Sequence, residues 1–159
     1  MQRVLCAVLA LGLIASMSDT AFAKPKISEK TKFYKIAGTT PAALLAEMNA
    51  KGPQGFWGYS SWYVRWTGGC KVSVEVTYTM PKLKSKTGMS GELIKEFDRF
   101  YAALWAHEKT HGGHGISAAE EIERAGCKNG NAIIKKWNAE DAKFDKRTDH
   151  GKKEGVYLR

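Results

Sequence analysis

The segment Ser90–His111, SGELIKEFDRFYAALWAHEKTH, decides the fold because it has the pattern of one long amphipathic helix. Its large apolar side chains recur at alternating spacings of four and three residues, which places them on one helical face. Ser90 is a suitable N-cap, and Glu92 lies in the first turn, where the helix dipole favours a carboxylate. We predict that the apolar stripe packs against a sheet; it consists of Leu93, Phe97, Phe100 and Leu104.

The last five residues of this segment have the pattern H-E-x-x-H, in which His107 and His111 continue the apolar stripe. Residues four apart lie above one another on a helix, so both imidazoles can bind one metal ion. Polar side chains that face a core need partners, and a metal ion suits two histidines at this spacing. Glu108 lies at the flank of the same face, where its carboxylate can accept a proton from a metal-bound water. The pattern predicts a catalytic zinc site.

A catalytic zinc ion usually has three protein ligands and a water molecule, so one ligand must lie outside the pattern. His114 is near in sequence, but seven residues of straight helix span about 10.5 Å, which is too far unless Gly112-Gly113 bends the chain. His150 is the distant candidate and would bring a ligand from a separate element. Three carboxylates are further candidates: Glu120, Glu121 and Glu123.

The first 23 residues have the features of a secretory signal peptide. Arg3 gives a positive start, an apolar run follows over residues 4–17, and Ala21-Phe22-Ala23 matches the A-x-A cleavage pattern. The apolar run is too short to span a bilayer. We expect cleavage after Ala23 and export to the periplasm or the medium. The mature chain, 24–159, should form a single domain without a transmembrane segment.

The cysteines indicate the redox state of the compartment, and the net charge indicates the kind of partner. Cys70 and Cys127 remain after signal cleavage, and an oxidising compartment favours one disulfide between them. The sequence has 25 Lys and Arg against 16 Asp and Glu, a net charge of +9. Export argues against nucleic acid as the target of these scattered basic residues. An anionic component of the cell envelope fits the charge better.

Two segments near the middle of the chain alternate apolar and polar residues with a period of two. They cover residues 61–67 and 70–80, and Gly68-Gly69 between them suits a tight turn. One buried and one solvated face indicate an antiparallel sheet. A third strand is predicted over residues 31–37.

Four helices are predicted around this sheet. The first has Thr40 as its cap and Pro41 at its first position, and the second carries the H-E-x-x-H pattern. Gly112-Gly113 should weaken this second helix after His111. The other helices should cover residues 117–125 and 131–146. The predicted fold is α+β: a small antiparallel sheet packed against the active-site helix, with a helical C-terminal third, as in a minimal zincin-like domain.

Motifs over most of the mature chain resemble a family of bacterial secreted proteins that have been described as zinc-dependent proteases and long classed as a domain of unknown function. One is an aromatic residue followed by Asp-x-x-Thr-x-His-Gly, which here is Phe144-Asp145-x-x-Thr148-x-His150-Gly151. This resemblance favours His150 as the third ligand. The other matching features are the H-E-x-x-H pattern, Tyr34-x-Ile36-x-Gly38-Thr39, Gly52-Pro53, the Trp62–Trp66 strand, Cys70, Met80-Pro81 and Cys127.

The sequence and the resemblance together predict an exported metalloprotease with one catalytic zinc ion. The expected ligands are His107, His111 and His150, with His114 as the alternative to His150. Glu108 would be the general base in the hydrolysis of peptide bonds in a peptide or protein substrate. Two alternatives stay open: a basic envelope-binding protein whose metal is structural, which a fourth protein ligand would indicate, and an amidase that acts on cell-wall peptides.

Overall fold

The computed structural model describes residues 24–159, so the predicted signal peptide over residues 1–23 lies outside the described residues. No helix within residues 24–159 is long and apolar enough to cross a membrane. The α+β class is confirmed. The elements in chain order are β1 (Lys26–Ile36), α1 (Pro41–Lys51), β2 (Tyr59–Thr67), β3 (Lys71–Leu83), α2 (Gly91–Arg124) and α3 (Gly130–Thr148), with short 3₁₀ turns at Pro53–Gly55 and Lys152–Glu154.

The three strands form one sheet in the order β1-β3-β2. β2 and β3 are antiparallel, as their alternating patterns predict, with Val64 opposite Val74. β1 is parallel to β3, with Lys26 opposite Ser73, so the sheet is mixed. The prediction of a purely antiparallel sheet is wrong in this respect. The alternation in β2 and β3 reports which face is buried, and it carries no information on the direction of a third strand.

One face of the sheet is covered by α2, which crosses β2 and β3. The apolar stripe predicted for this helix is buried, and its four residues are at most 7% exposed. Burial of a side chain of this size contributes about 1.5–3 kcal/mol to stability. The stripe shares its core with the inward-facing residues of β3, which are Val72, Val74, Val76, Tyr78 and Met80.

α2 continues without a break for 34 residues. The predictions that it weakens at Gly112-Gly113 and that residues 117–125 form a separate helix are therefore wrong. Gly112 lies where the helix meets β3, and a Cβ built there would be 2.2 Å from the hydroxyl oxygen of Tyr78. This glycine permits close packing instead of a bend, and that packing offsets its low helix propensity.

We expect Gly112→Ala to lower the free energy of unfolding by about 1–3 kcal/mol, because the added methyl group overlaps the Tyr78 ring. Gly113→Ala is the matched control, since nothing lies within 4 Å of a Cβ built at that position. The control should gain about 0.5–1 kcal/mol from the higher helix propensity of alanine. Urea titrations of both variants measure the two changes. Equal effects of the two substitutions would contradict the close-packing role of Gly112.

Cys70 and Cys127 form the predicted disulfide, with an S–S distance of 2.05 Å. The bond joins the turn between β2 and β3 to the turn between α2 and α3. Because the bonded cysteines are 57 residues apart, the loop they close is long. In the chain-entropy treatment, closing a loop of this length stabilises the fold by about 4 kcal/mol. The disulfide thus ties the sheet to the helical half of the chain.

Candidate metal centre

The residues of the H-E-x-x-H pattern line a cleft of about 630 Å³ between α2, α3 and the loop before β2. His107, Glu108 and His111 reach it from α2, and Asp141 and Asp145 reach it from α3. Three aromatic residues also line the cleft: Phe56 and Trp57 of the loop before β2, and Tyr59 at the start of β2.

Three side chains in this cleft bring metal-binding atoms together: His107, His111 and Asp145. The two histidine Nε2 atoms are 3.3 Å apart. Asp145 Oδ1 is 3.1 Å from the Nε2 atom of His111 and 3.3 Å from that of His107. Zinc bonds to nitrogen and oxygen of about 2.0–2.2 Å place tetrahedral ligand atoms about 3.3 Å apart. The three donors therefore have the spacing of three corners of a zinc tetrahedron.

The second ring nitrogen of each histidine has a carboxylate partner. Glu154 Oε2 lies 2.9 Å from His107 Nδ1, and Asp141 Oδ1 lies 2.9 Å from His111 Nδ1. Carboxylates in this position fix the orientation and tautomer of metal-binding histidines and increase their basicity. The contacts turn both Nε2 atoms towards Asp145. The hydrogen bonds around the site thus match those expected of a metal centre.

Asp141 accepts hydrogen bonds from three side chains. Besides His111, the donors are Trp62 Nε1 at 2.9 Å and His114 Nδ1 at 2.5 Å. Burial alone would raise the pKa of Asp141, but the three hydrogen bonds outweigh it and hold the pKa below its ordinary value. Asp141 is therefore ionised at neutral pH. Its network links β2 to both helices of the site.

Glu108 is a buried carboxylic acid that lines the cleft beside the two histidines. Burial raises its pKa above the ordinary value, although a hydrogen bond from Ser60 opposes this shift. Gly58 makes room for the carboxylate, since a Cβ built at Gly58 would lie 2.9 Å from Glu108 Oε1. A raised pKa suits a group that accepts and returns a proton near neutral pH.

The histidines considered as third ligands lie apart from the three converging donors. The side chain of His150 is 61% exposed at the mouth of the cleft, and its Nδ1 atom is 3.6 Å from Asp145 Oδ2. His114 forms a second candidate metal-binding group with His111 and Asp141, and the Nδ1 atoms of both histidines also contact Asp141 Oδ1. The assignment of the third ligand to His150 stays a prediction, and the geometry favours Asp145. The carboxylate candidates Glu120, Glu121 and Glu123 do not line the cleft.

The C-terminal motif places its residues around His107. The ring of Phe144 stacks on the His107 ring at a centroid distance of 4.8 Å. Thr148 Oγ1 accepts a hydrogen bond from the backbone N–H of Gly151 at 3.2 Å. Gly151 has a φ of +80°, and a Cβ built there would be 3.1 Å from His107 Cγ. The motif therefore builds the wall behind His107 and leads the chain to Glu154.

Sequence reasoning missed Asp145 and Asp141, although a signal for them exists. The two aspartates lie four residues apart on α3, and the two histidines lie four residues apart on α2. Each pair therefore occupies one face of its helix, and the two faces meet in the cleft. The available clue was an i,i+4 pair of aspartates whose second member, Asp145, belongs to the matching C-terminal motif.

A family model described as "Bacterial protein of unknown function (DUF922)" matches residues 31–151 of the chain. The chain belongs to this DUF922 family. The matched region contains all three converging donors and Glu108, whereas Glu154 follows it. Comparisons with curated proteins and with solved structures found no match. Because the function of the DUF922 family is unknown, the chemistry must be argued from the site itself.

Proposed function

We propose that this protein is an exported, zinc-dependent hydrolase that cleaves peptide bonds. The proposal depends on one observation: His107 Nε2, His111 Nε2 and Asp145 Oδ1 converge at tetrahedral spacing. The carboxylate of Glu108 lines the same cleft. A zinc ion held by these three atoms would supply an activated water molecule and polarise the scissile carbonyl group.

The number of donors supports a catalytic metal over a structural one. Structural zinc sites are usually closed by four protein ligands, whereas catalytic sites keep one position open. Within residues 24–159, no fourth His, Cys, Asp or Glu joins His107, His111 and Asp145 in the group. The open cleft beside them gives a substrate access to the remaining position.

Glu108 is placed to carry the proton in this reaction. Its burial raises its pKa, so it can accept a proton from water and return it to the leaving amine. Asp141 and Glu154 keep the two imidazoles oriented while this happens, because their hydrogen bonds fix the rings. The chain's own residues thus provide positioning and proton transfer.

Two further observations support the substrate and the compartment. The aromatic wall formed by Phe56, Trp57 and Tyr59 offers an apolar surface to a peptide side chain. The disulfide between Cys70 and Cys127 fits an exported protein, since such bonds persist in oxidising compartments. A cell-wall peptide would be cut by the same residues, so the hydrolysis assay includes both peptides and cell-wall peptides.

The proposal is tested by metal analysis and hydrolysis assays on one preparation. Protein purified without chelator should contain about one zinc ion per chain, held by His107, His111 and Asp145, whose donor atoms have tetrahedral spacing. It should cleave members of a peptide library or purified cell-wall peptides, lose this activity with phenanthroline, and regain it with added zinc. Protein that binds no zinc after reconstitution would contradict the metal site. Zinc binding without any hydrolysis would favour the envelope-binding alternative.

A further inference from the structure

The positive charge of the protein is concentrated in the half of the chain that forms the sheet. Residues 24–90 carry 11 Lys and Arg against three Glu, a net charge of +8. Residues 91–159 carry 13 basic and 12 acidic residues, a net charge of +1. All three glutamates of the first half already have a basic partner, and the pairs are Glu29–Lys109, Glu47–Lys51 and Glu75–Arg65. Lys86 pairs with Asp98 of the second half, and the remaining excess of basic residues in the first half is available to an external anion.

Three of these lysines lie on the sheet face that α2 does not cover. Side chains alternate between the two faces along a strand, and directly paired residues share a face. Lys26, Lys30 and Lys32 of β1 are paired with the β3 residues that alternate with the buried valines. All three lysines are exposed, and their β3 partners are Ser73, Thr77 and Thr79.

The same open face continues across the sheet to β2. Tyr63 and Arg65 are paired with Glu75 and Ser73, so their side chains lie on this face. Tyr63 is 59% exposed. From Lys26 to Lys32 the row of ammonium groups extends about 20 Å along β1, with rows of hydroxyl groups on the next strand about 4.8 Å away. The face is basic and rich in hydroxyl groups.

We infer that this open sheet face binds an anionic polysaccharide. Lysine ammonium groups pair with the carboxylate or phosphate groups of such a polymer, and the serine and threonine hydroxyls bond to its sugar hydroxyls. A row of charges along a strand matches an extended chain with regularly spaced anions better than it matches a small ligand, which needs a concave pocket.

The apolar residues of β1 argue against a lipid bilayer as the ligand. Ile27 and Phe33 are about half exposed, but they are paired with the buried residues Val74 and Met80 of β3. Their side chains therefore lie on the α2 side of the sheet. Tyr63 is the exposed large hydrophobic side chain on the open face, and a single aromatic ring among lysines and hydroxyl groups is not the apolar surface that enters a membrane interface. None of Lys26, Lys30 and Lys32 lines the cleft, so a polymer bound along them leaves the candidate metal centre accessible.

The test compares two triple variants that remove the same charge. Lys26→Gln/Lys30→Gln/Lys32→Gln changes the open face, and Lys95→Gln/Lys128→Gln/Lys135→Gln removes three exposed lysines from the helical half. Affinities are measured by biolayer interferometry for polygalacturonate, a phosphorylated mannan and neutral dextran. We expect the open-face variant to bind the anionic polymers at least about 10-fold more weakly and the control variant to change less than about threefold. The slope of the logarithm of the affinity against the logarithm of the salt concentration should become shallower by about two in the open-face variant only. Fewer counterions are released when fewer lysines pair with the polymer.

The two anionic polymers decide whether carboxylate or phosphate is the preferred group, and dextran should not bind. Equal losses in the two variants would show that net charge alone is responsible and would overturn the inference. Binding to phosphatidylglycerol vesicles or duplex DNA without binding to either polysaccharide would overturn it as well. The measurement does not depend on hydrolysis, so it stands whether or not the proposed enzymatic function is correct.

Discussion

Asp145→Asn should weaken zinc binding by at least about 100-fold, whereas His150→Ala should change it by less than about threefold. Asp145 Oδ1 lies within 3.3 Å of the Nε2 atoms of both histidines, and it is the only donor of the group from a second helix. Losing a partner outside the coordination sphere typically costs 10–100-fold in affinity, and losing a ligand itself should cost more. Competition titrations with a chromophoric chelator measure these affinities.

Asp149→Ala is the control for this experiment. Asp149 also lines the cleft and carries the same charge, but it is not among the three converging donors. It should behave like His150→Ala. If His150→Ala abolished zinc binding and Asp145→Asn did not, the ligand predicted from the sequence would be correct and the geometric assignment would be wrong.

Glu108→Gln should retain zinc and lower kcat by about 10²–10⁴-fold, the usual contribution of a positioned general base. The amide has nearly the shape of the carboxylate but cannot accept the proton of water, and all three proposed ligands remain in place. Peptide hydrolysis and zinc content are measured on the same preparation. Glu123→Gln is the matched control, because Glu123 is also a buried glutamate on α2 but does not line the cleft. Full activity of Glu108→Gln, or loss of its zinc, would contradict the assigned role.

The part of the site on α2 could be predicted from the sequence because it depends on helical periodicity alone. His107 and His111 continue a strong apolar stripe, and four-residue spacing fixes their relative positions once the segment is a helix. Asp145 could not be found in this way. Its position beside the histidines depends on how α3 packs against α2. The chain has 16 acidic residues, and the sequence around each of them does not show which one reaches the histidines. The resemblance of the C-terminal motif favoured His150 instead, although Asp145 belongs to the same motif.

In the sheet, too, the features set by local sequence could be predicted and those set by tertiary packing could not. β2 and β3 have alternating patterns because one face of each is buried under α2. β1 begins at Lys26, whereas the sequence predicted a strand only from residue 31. Its first residues are polar on one face and poorly covered on the other, so no alternation marks them. Its direction relative to β3 depends on tertiary packing, which the residue pattern of the strand does not encode.

The disulfide affects the stage at which the donors of the candidate metal centre are held in place. Two of the three donors belong to α2 and one belongs to α3, and the turn that joins these helices contains Cys127. The bond to Cys70 anchors that turn to the sheet and so limits the relative movement of the two helices. In a reducing cytoplasm the turn lacks this anchor, and the donors from the two helices are held together less firmly. Under the export and zinc binding proposed above, a precursor would therefore bind its metal weakly inside the cell, and formation of the disulfide after export would complete the site.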